Sequence, residues 1–157
     1  MFDQYVRSLE KKIKSQVVGL RYFNVFGPRE AHKNNMASVV YHFNNQINET
    51  DQVQLFSGSH GYNDGEQCRD FIFVDDIIDM NLWMMNNPNI SGIYNAGTGV
   101  AHSFNEIANT VIKSRKKGKI KYIPFPKELE ECYQSFTQAN AIGTAAYMSP
   151  EPVSYTH

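Results

Sequence analysis

Cysteine is scarce in this sequence: Cys68 and Cys132 are the only two among 157 residues. They lie far apart and form no C-x-x-C pair, which excludes a disulfide framework and a zinc site as organising elements. Long apolar runs are missing too. None approaches the ~20 residues needed to span a bilayer, so no membrane-spanning helix is predicted. Neither sign of charge is in excess: 15 Lys+Arg stand against 16 Asp+Glu, a formal net charge of -1. That leaves no global field to attract nucleic acid or an anionic membrane. The opening Met1-Phe2-Asp3-Gln4-Tyr5 has no basic stretch followed by an apolar one, so a signal peptide is not expected there. Nor does any G-x-G-x-x-G turn occur. What remains is ordinary globular composition, 41% hydrophobic and 13% aromatic, enough for a packed core and against disorder. The length allows one domain or a large piece of one. A soluble, cytoplasmic setting without a metal is the expectation.

The pattern of apolar residues predicts alternating helices and strands. Phe2, Val6, Leu9 and Ile13 recur at helical spacing over 2–14. Gln16 to Phe23 is a near-continuous apolar run, typical of a strand buried on both faces of a parallel sheet, and Gly27-Pro28 breaks it into a loop. Met36, Val39, Val40, Phe43 and Ile47 predict a helix over 36–47. Short strands follow at 52–56 and 70–74, separated by a loop rich in Gly, Ser, Asn and Asp. Asp75 or Asp76 is a candidate N-cap for a helix to Asn86. Gly92 to Ala96 predicts a strand ended by Gly97-Thr98-Gly99. Ser103-Phe104-Asn105-Glu106 is an S-x-x-E capping box opening a helix to about Lys116, and Ile120 to Pro124 a last strand. This order predicts α/β architecture.

Several residues are candidates for chemistry. Asn24 follows a buried strand at its carboxyl end, where ligands bind in open α/β sheets; it could equally close a turn. Lys33, beside Arg29 and His32, reads on its own as a solvated loop charge. Gly97-Thr98-Gly99 lacks the third spaced glycine of a dinucleotide turn and reads as plain loop. The basic run Lys113, Arg115, Lys116, Lys117, Lys119 and Lys121 has no interleaved aromatics and sits at a helix C-terminus, where cations are favoured. It reads as a solvated face.

Three motifs, Arg21-Tyr22-Phe23-Asn24-Val25-Phe26-Gly27-Pro28, Arg69-Asp70-Phe71-Ile72-Phe73-Val74-Asp75-Asp76 and Tyr94-Asn95-Ala96-Gly97-Thr98-Gly99, resemble the C-terminal half of extended short-chain dehydrogenase/reductase enzymes acting on nucleotide sugars. Two narrower ones, His32-Lys33-Asn34-Asn35-Met36-Ala37-Ser38 and Tyr122-Ile123-Pro124-Phe125-Pro126 with Tyr133-Gln134-Ser135-Phe136, resemble the ADP-glyceromanno-heptose 6-epimerase family. The resemblance runs from Phe2 to about Asn140. It implies the C-terminal part of a Rossmann-like fold over 1–140, with a small substrate-binding α/β part at 28–70 and 120–140. It also implies NADP as cofactor, ADP-heptose as substrate, a role in lipopolysaccharide core synthesis, and a homo-oligomer.

In that family the C6 alcohol of the heptose is oxidised and the hydride then returned to the opposite face, with two acid/base groups. Lys33 matches one of them and also a cofactor contact; an amine can serve near neutral pH where burial or a cation disfavours its charge. By the same resemblance, Asn24, Asn35 and His42 are sugar contacts and Phe56, Ser57, Gly58 and Ser59 pack on the nucleotide, offering an aromatic surface and backbone N–H groups. Arg69 binds the diphosphate. Tyr133 is a late substrate contact, and Val25 a backbone contact to the cofactor. The family's Y-x-x-x-K pair and glycine-rich turn are absent, so the expectation is a chain truncated at its N-terminus, inactive alone. Residues 141–157 depart from the family pattern and are expected to be a divergent tail. Alternatives are another nucleotide-sugar epimerase or 4,6-dehydratase, or a sugar-nucleotide-binding module without redox chemistry.

Overall fold

The computed structural model describes residues 2–9, 12–58 and 61–124. Among these, 2–29 and 70–100 form one compact unit, and 30–69 and 101–124 belong to a second.

The first unit holds α1 (Phe2–Leu9), β1 (Val18–Tyr22) and β2 (Asn24–Phe26). Most of β4 (Cys68–Phe73), with α3 (Val74–Asn86) and β5 (Gly92–Ala96), completes it. β1 runs parallel to β5, with Val18 opposite Gly92 and Tyr22 opposite Ala96. β2 runs parallel to β4, with Asn24 opposite Phe71 and Phe26 opposite Phe73. Parallel pairing of this kind requires crossover connections, here supplied by helices. The core gathers Ile72, Ile77 and Ala96, with Leu20, Val25 and Met80 packed on it. A distant side chain closes α3: Gln16 Nε2 lies 2.8 Å from the Met84 carbonyl and 3.0 Å from those of Asn87 and Ile90. The Met84 and Asn87 carbonyls also accept from the Asn87 and Ile90 N–H groups, at 3.1 and 3.0 Å.

The second unit holds a 3₁₀ turn (Ala31–Met36), α2 (Val39–Thr50), β3 (Gln52–Phe56), β6 (Ala101–Ser103), α4 (Phe104–Arg115) and β7 (Lys119–Ile123). β3 runs parallel to β7 from Gln52 opposite Lys119 to Phe56 opposite Ile123. Val53 and Leu55, two apart on β3, point into the core while Gln54 between them is exposed. That alternation is the period of a strand with one face buried. Phe43 and Ile47 of α2 and Ala108 and Val111 of α4 meet Val53 and Leu55 there. Ile47 and Val53 are fully buried.

The expected capping box forms: Ser103 Oγ accepts from the Glu106 N–H at 3.2 Å, and Glu106 Oε2 accepts from the Ser103 N–H at 2.9 Å. Ser103→Ala is expected to lower stability by about 1 kcal/mol, within the 0.5–2 kcal/mol of such caps, in urea unfolding. An unchanged midpoint would show that the cap contributes nothing to α4.

Four expectations need correction. α1 is Phe2–Leu9, and Ile13 and Lys14 lie outside any helix, so it does not run to residue 14. Met36 lies outside α2 and is 86% exposed. Ser38 takes the N-cap instead, its Oγ accepting from the Tyr41 N–H at 3.2 Å, so the helix starts at Val39. Neither Asp75 nor Asp76 caps α3. The helix starts at Val74 after Phe73, and both carboxylates lie in its first turn, where the helix dipole favours them. Asn24 is not in a loop beyond the strand: two residues past the end of β1 it opens β2, after the one-residue break at Phe23.

Among the described residues no helix is long and apolar enough to cross a membrane, and no group of three or more His, Cys, Asp or Glu could hold a metal ion.

Candidate functional site

In the first unit the break between β1 and β2 sets the geometry. Phe23 donates its N–H to the Ala96 carbonyl at 3.0 Å, still in register with β5, and the Val25 N–H turns to the Phe23 carbonyl at 2.9 Å. The chain thereby changes neighbours, from β5 to β4, and Asn24 becomes exposed at the step. Its Nδ2 donates to the Asp70 carbonyl at 2.9 Å. That bond fixes the amide plane, so the Asn24 side-chain oxygen is presented in one orientation as a hydrogen-bond acceptor. Val25 is half-buried opposite Ile72, its N–H engaged inside the turn.

The Asp70 carboxylate, which sequence reasoning assigned only to a strand, occupies the Gly97-Thr98-Gly99 turn. Oδ1 accepts from the Thr98 N–H at 3.0 Å and the Thr98 hydroxyl at 2.7 Å, and Oδ2 accepts from the Gly99 N–H at 2.8 Å. Consecutive N–H groups of this kind form an anion cradle, and here an internal carboxylate fills it. A side chain at Gly97 would put its Cβ 2.2 Å from the Phe23 ring. The turn is therefore a packing device and does not fit the phosphates of a dinucleotide. This turn builds no cradle for that cofactor.

In the second unit Lys33 and Asn35 sit on the 3₁₀ turn. The Lys33 N–H donates to the Glu30 carbonyl at 2.9 Å, and its Nζ stands 3.7 Å from Glu30 Oε2 with the lysine side chain 44% exposed. Asn35 is exposed. His42 lies in the first turn of α2, half-buried, with its ring edge-on to Tyr41 at 5.9 Å. Glu30 is the residue that sequence reasoning missed. It is 4% exposed, and its carboxylate accepts from the Ser38 N–H at 2.7 Å and the Ser38 hydroxyl at 2.8 Å.

Phe56 closes β3, half-buried. The Ser57 N–H donates to the Ile123 carbonyl at 2.8 Å, and the Gly58 N–H to Asp64 Oδ1 at 2.6 Å. The Ser57 and Gly58 N–H groups are thus engaged within the unit. What the segment offers outward is an open hollow of ≈ 600 Å³ lined by Ser57, Gly58, Tyr62, Asn63, Asp64 and Glu66. Two carboxylates on its wall favour hydroxyl and amino groups of a ligand over phosphate. Arg69 is exposed in β4, and its Nη1 donates to the Cys68 carbonyl at 2.7 Å. Ser59, Tyr133 and Gln134 lie outside the described residues. The structure thus brings Lys33 and Asn35 together on one turn leading into the helix of His42, and places Ser57 and Gly58 along one hollow. Asn24 and Val25 stand side by side in the other unit.

Comparison with known proteins accounts for this arrangement. The chain is 56% identical over 139 residues to an ADP-L-glycero-D-manno-heptose-6-epimerase of Alkalilimnicola ehrlichii, a match covering 88% of this chain and 43% of that protein. Among solved structures, the ADP-L-glycero-D-manno-heptose-6-epimerase of Helicobacter pylori matches with a TM-score of 0.66 at 37% identity, covering 78% of this chain and 36% of that one. A UDP-N-acetylglucosamine 4-epimerase from Methanobrevibacter ruminantium matches with a TM-score of 0.67 at 26% identity, covering 79% and 38%. The chain spans less than half the length of each. The fold is accordingly the Rossmann-like α/β fold of extended short-chain dehydrogenase/reductase epimerases, as expected from the motifs. Residues 1–97 match the sequence model described as the NAD dependent epimerase/dehydratase family. The match covers more than half of the chain, and the chain belongs to the NAD dependent epimerase/dehydratase family.

Proposed function

We propose that this chain carries substrate-handling machinery of an ADP-glyceromanno-heptose 6-epimerase, which interconverts ADP-D-glycero- and ADP-L-glycero-D-manno-heptose. The observation that carries the reading is the 56% identity over 139 residues to the Alkalilimnicola ehrlichii protein of that name. The lysine-bearing turn supports it. The reaction removes the C6 hydroxyl proton as the C6 hydride leaves, then returns a hydride to the opposite face and a proton to the oxygen. In this reading a bound nicotinamide cofactor, proposed to be NADP, would supply the hydride chemistry, with Val25 and Lys33 offering contacts to it.

Lys33 Nζ is the atom proposed to carry the proton for one of the two faces. Asn24, Asn35 and His42 orient the sugar, with Tyr133 as a further contact. Arg69 pairs with the diphosphate through two parallel N–H groups. The hollow lined by Ser57 and Gly58 takes the adenosine, its Asp64 and Glu66 carboxylates accepting from ribose hydroxyls and the adenine amine, with Phe56 and Ser59 of the same motif as further contacts. A cytoplasmic homo-oligomer working in lipopolysaccharide core synthesis belongs to the same proposal.

A second reading, a UDP-sugar 4-epimerase, is favoured by the TM-score of 0.67 to the Methanobrevibacter ruminantium structure. Binding separates the two. In a full-length chimaera, with this chain replacing its counterpart in the Alkalilimnicola ehrlichii relative, calorimetry is expected to show ADP-heptose binding at least about tenfold (~1.4 kcal/mol) tighter than UDP-glucose or UDP-N-acetylglucosamine. Tighter binding of either UDP-sugar would favour the second reading.

A further inference from the structure

We infer that Glu30 is a positioning residue for Lys33: its buried carboxylate, anchored by Ser38, fixes the turn that carries the lysine and faces the ammonium. The inference rests on the proposed role of Lys33. Three observations within one unit carry it.

Glu30 is nearly inaccessible at 4% exposure although it neighbours exposed Arg29 and Ala31. A carboxylate is removed from water only where partners compensate it. Ser38 supplies two, its N–H and its hydroxyl, one to each carboxylate oxygen. The same hydroxyl caps α2 through the Tyr41 N–H. The carboxylate is thereby tied to the start of a helix whose Phe43 and Ile47 are in the core. It is a fixed charge on a rigid element.

The turn it holds departs from ordinary backbone geometry. Arg29 has φ 67 immediately before Glu30, and Asn34 has φ 48 with ψ -125 immediately after Lys33. Non-glycine residues adopt such conformations where surrounding structure over-determines them, often at functional sites. Glu30 supplies the determination from both ends. Its own carbonyl accepts the Lys33 N–H at 2.9 Å, and its carboxylate closes the far side of the turn at Ser38.

The third observation is direction. Lys33 Nζ lies 3.7 Å from Glu30 Oε2, an ion-pair distance without full enclosure. A long lysine stem would otherwise sample many rotamers. The fixed carboxylate restricts the ammonium to one side of the turn while leaving the side chain 44% exposed and able to reach a substrate.

The test is a double-mutant cycle in the full-length chimaera, followed by single-turnover epimerisation so that large losses remain measurable. Glu30→Gln keeps an acceptor for Ser38 and removes the charge opposite Lys33. It is expected to lower the rate roughly 10- to 100-fold, the scale of misplacing a catalytic group, with ADP-heptose affinity by calorimetry unchanged within twofold. Combined with Lys33→Met, which removes the group being positioned, it is expected to cause no further loss. Glu30→Asp, which keeps the charge but withdraws it by one methylene, is expected to give an intermediate loss. An equal fold-loss from Glu30→Gln with and without Lys33 would make Glu30 a structural residue and overturn the inference while leaving Lys33 its role. A wild-type rate in Glu30→Gln or Glu30→Asp, or a loss confined to substrate affinity, would also overturn it. A Lys33→Met chimaera with wild-type rate would remove the role of Lys33 itself, and with it the inference.

Discussion

Lys33→Met in the full-length chimaera is expected to cut epimerisation by roughly 10²–10⁴-fold, the range for losing a general acid/base, or about 3–5 kcal/mol of barrier. Methionine matches the stem of lysine in length and apolar character, so the substitution removes the ammonium and little else. The turn itself is held by backbone and by Glu30: the Lys33 N–H donates to the Glu30 carbonyl whatever the side chain, and Ser38 retains both bonds to the Glu30 carboxylate. What the fold loses is a half-exposed ion pair at 3.7 Å, worth little after solvent screening. ADP-heptose binding is expected to survive, since Asn24, His42 and Arg69 remain.

The loss is also expected to be unequal for the two epimers. If Lys33 Nζ serves one face of C6, oxidation of the epimer presenting that face falls more than oxidation of the other. Cofactor reduction in a single turnover, started separately from each epimer, measures the difference. Equal loss from both sides, or loss of binding alone, would make Lys33 a charge that positions substrate and not a base.

Arg69→Ala is expected to weaken ADP-heptose binding by roughly 1.5–3 kcal/mol, the value of a charge-assisted hydrogen bond, about 10- to 150-fold in affinity. Arg69 is exposed near the start of β4, and in the structure Nη1 donates to the carbonyl of its own neighbour Cys68 at 2.7 Å. Because the diphosphate is common to ADP and ADP-heptose, both are expected to weaken by the same factor, and the loss to shrink as salt rises. A loss for ADP-heptose without one for ADP would move Arg69 from the diphosphate to the sugar. Unchanged affinity for both would remove it from the site.

Local rules made much of the fold legible. The Ser103–Glu106 capping box can be read because its partners are three residues apart and their chemistry is reciprocal. The apolar runs at 18–22 and 92–96 can be read as strands because they carry few polar residues, although β1 is not buried on both faces as expected: Val18 to Leu20 are half-buried and Arg21 and Tyr22 exposed. Met36 misled because it continues the helical spacing of Val39, Val40 and Phe43. The spacing does not reveal that Ser38 intervenes as the cap, nor that Asn34 breaks the backbone before it. Asp75 and Asp76 are good caps by type, yet the chain enters α3 one residue earlier, and the same carboxylates act on the helix dipole instead.

The site was legible in its exposed residues and hidden in its supports. Lys33, His42 and Arg69 stand in recognisable motifs. Glu30 and Asp70 do not announce themselves, because an acidic residue in a loop or at a strand looks solvated until its partners are known. Those partners lie 8 residues away for Glu30 and 28 or 29 away for Asp70. The Phe56–Gly58 segment shows the converse. Backbone N–H groups there looked available from sequence, but those of Ser57 and Gly58 are engaged by Ile123 and Asp64.

The most direct measurement of the central claim is nuclear magnetic resonance of the heptose C6 signals while the full-length chimaera acts on pure ADP-D-glycero-D-manno-heptose, and separately on the pure L-glycero epimer. Conversion of each into the other, ending at one common ratio from both sides, is the expected result, with Lys33→Met slowing the approach without changing the ratio. Two starting epimers that both stay unchanged, while a UDP-sugar is epimerised at C4 under the same conditions, would contradict it.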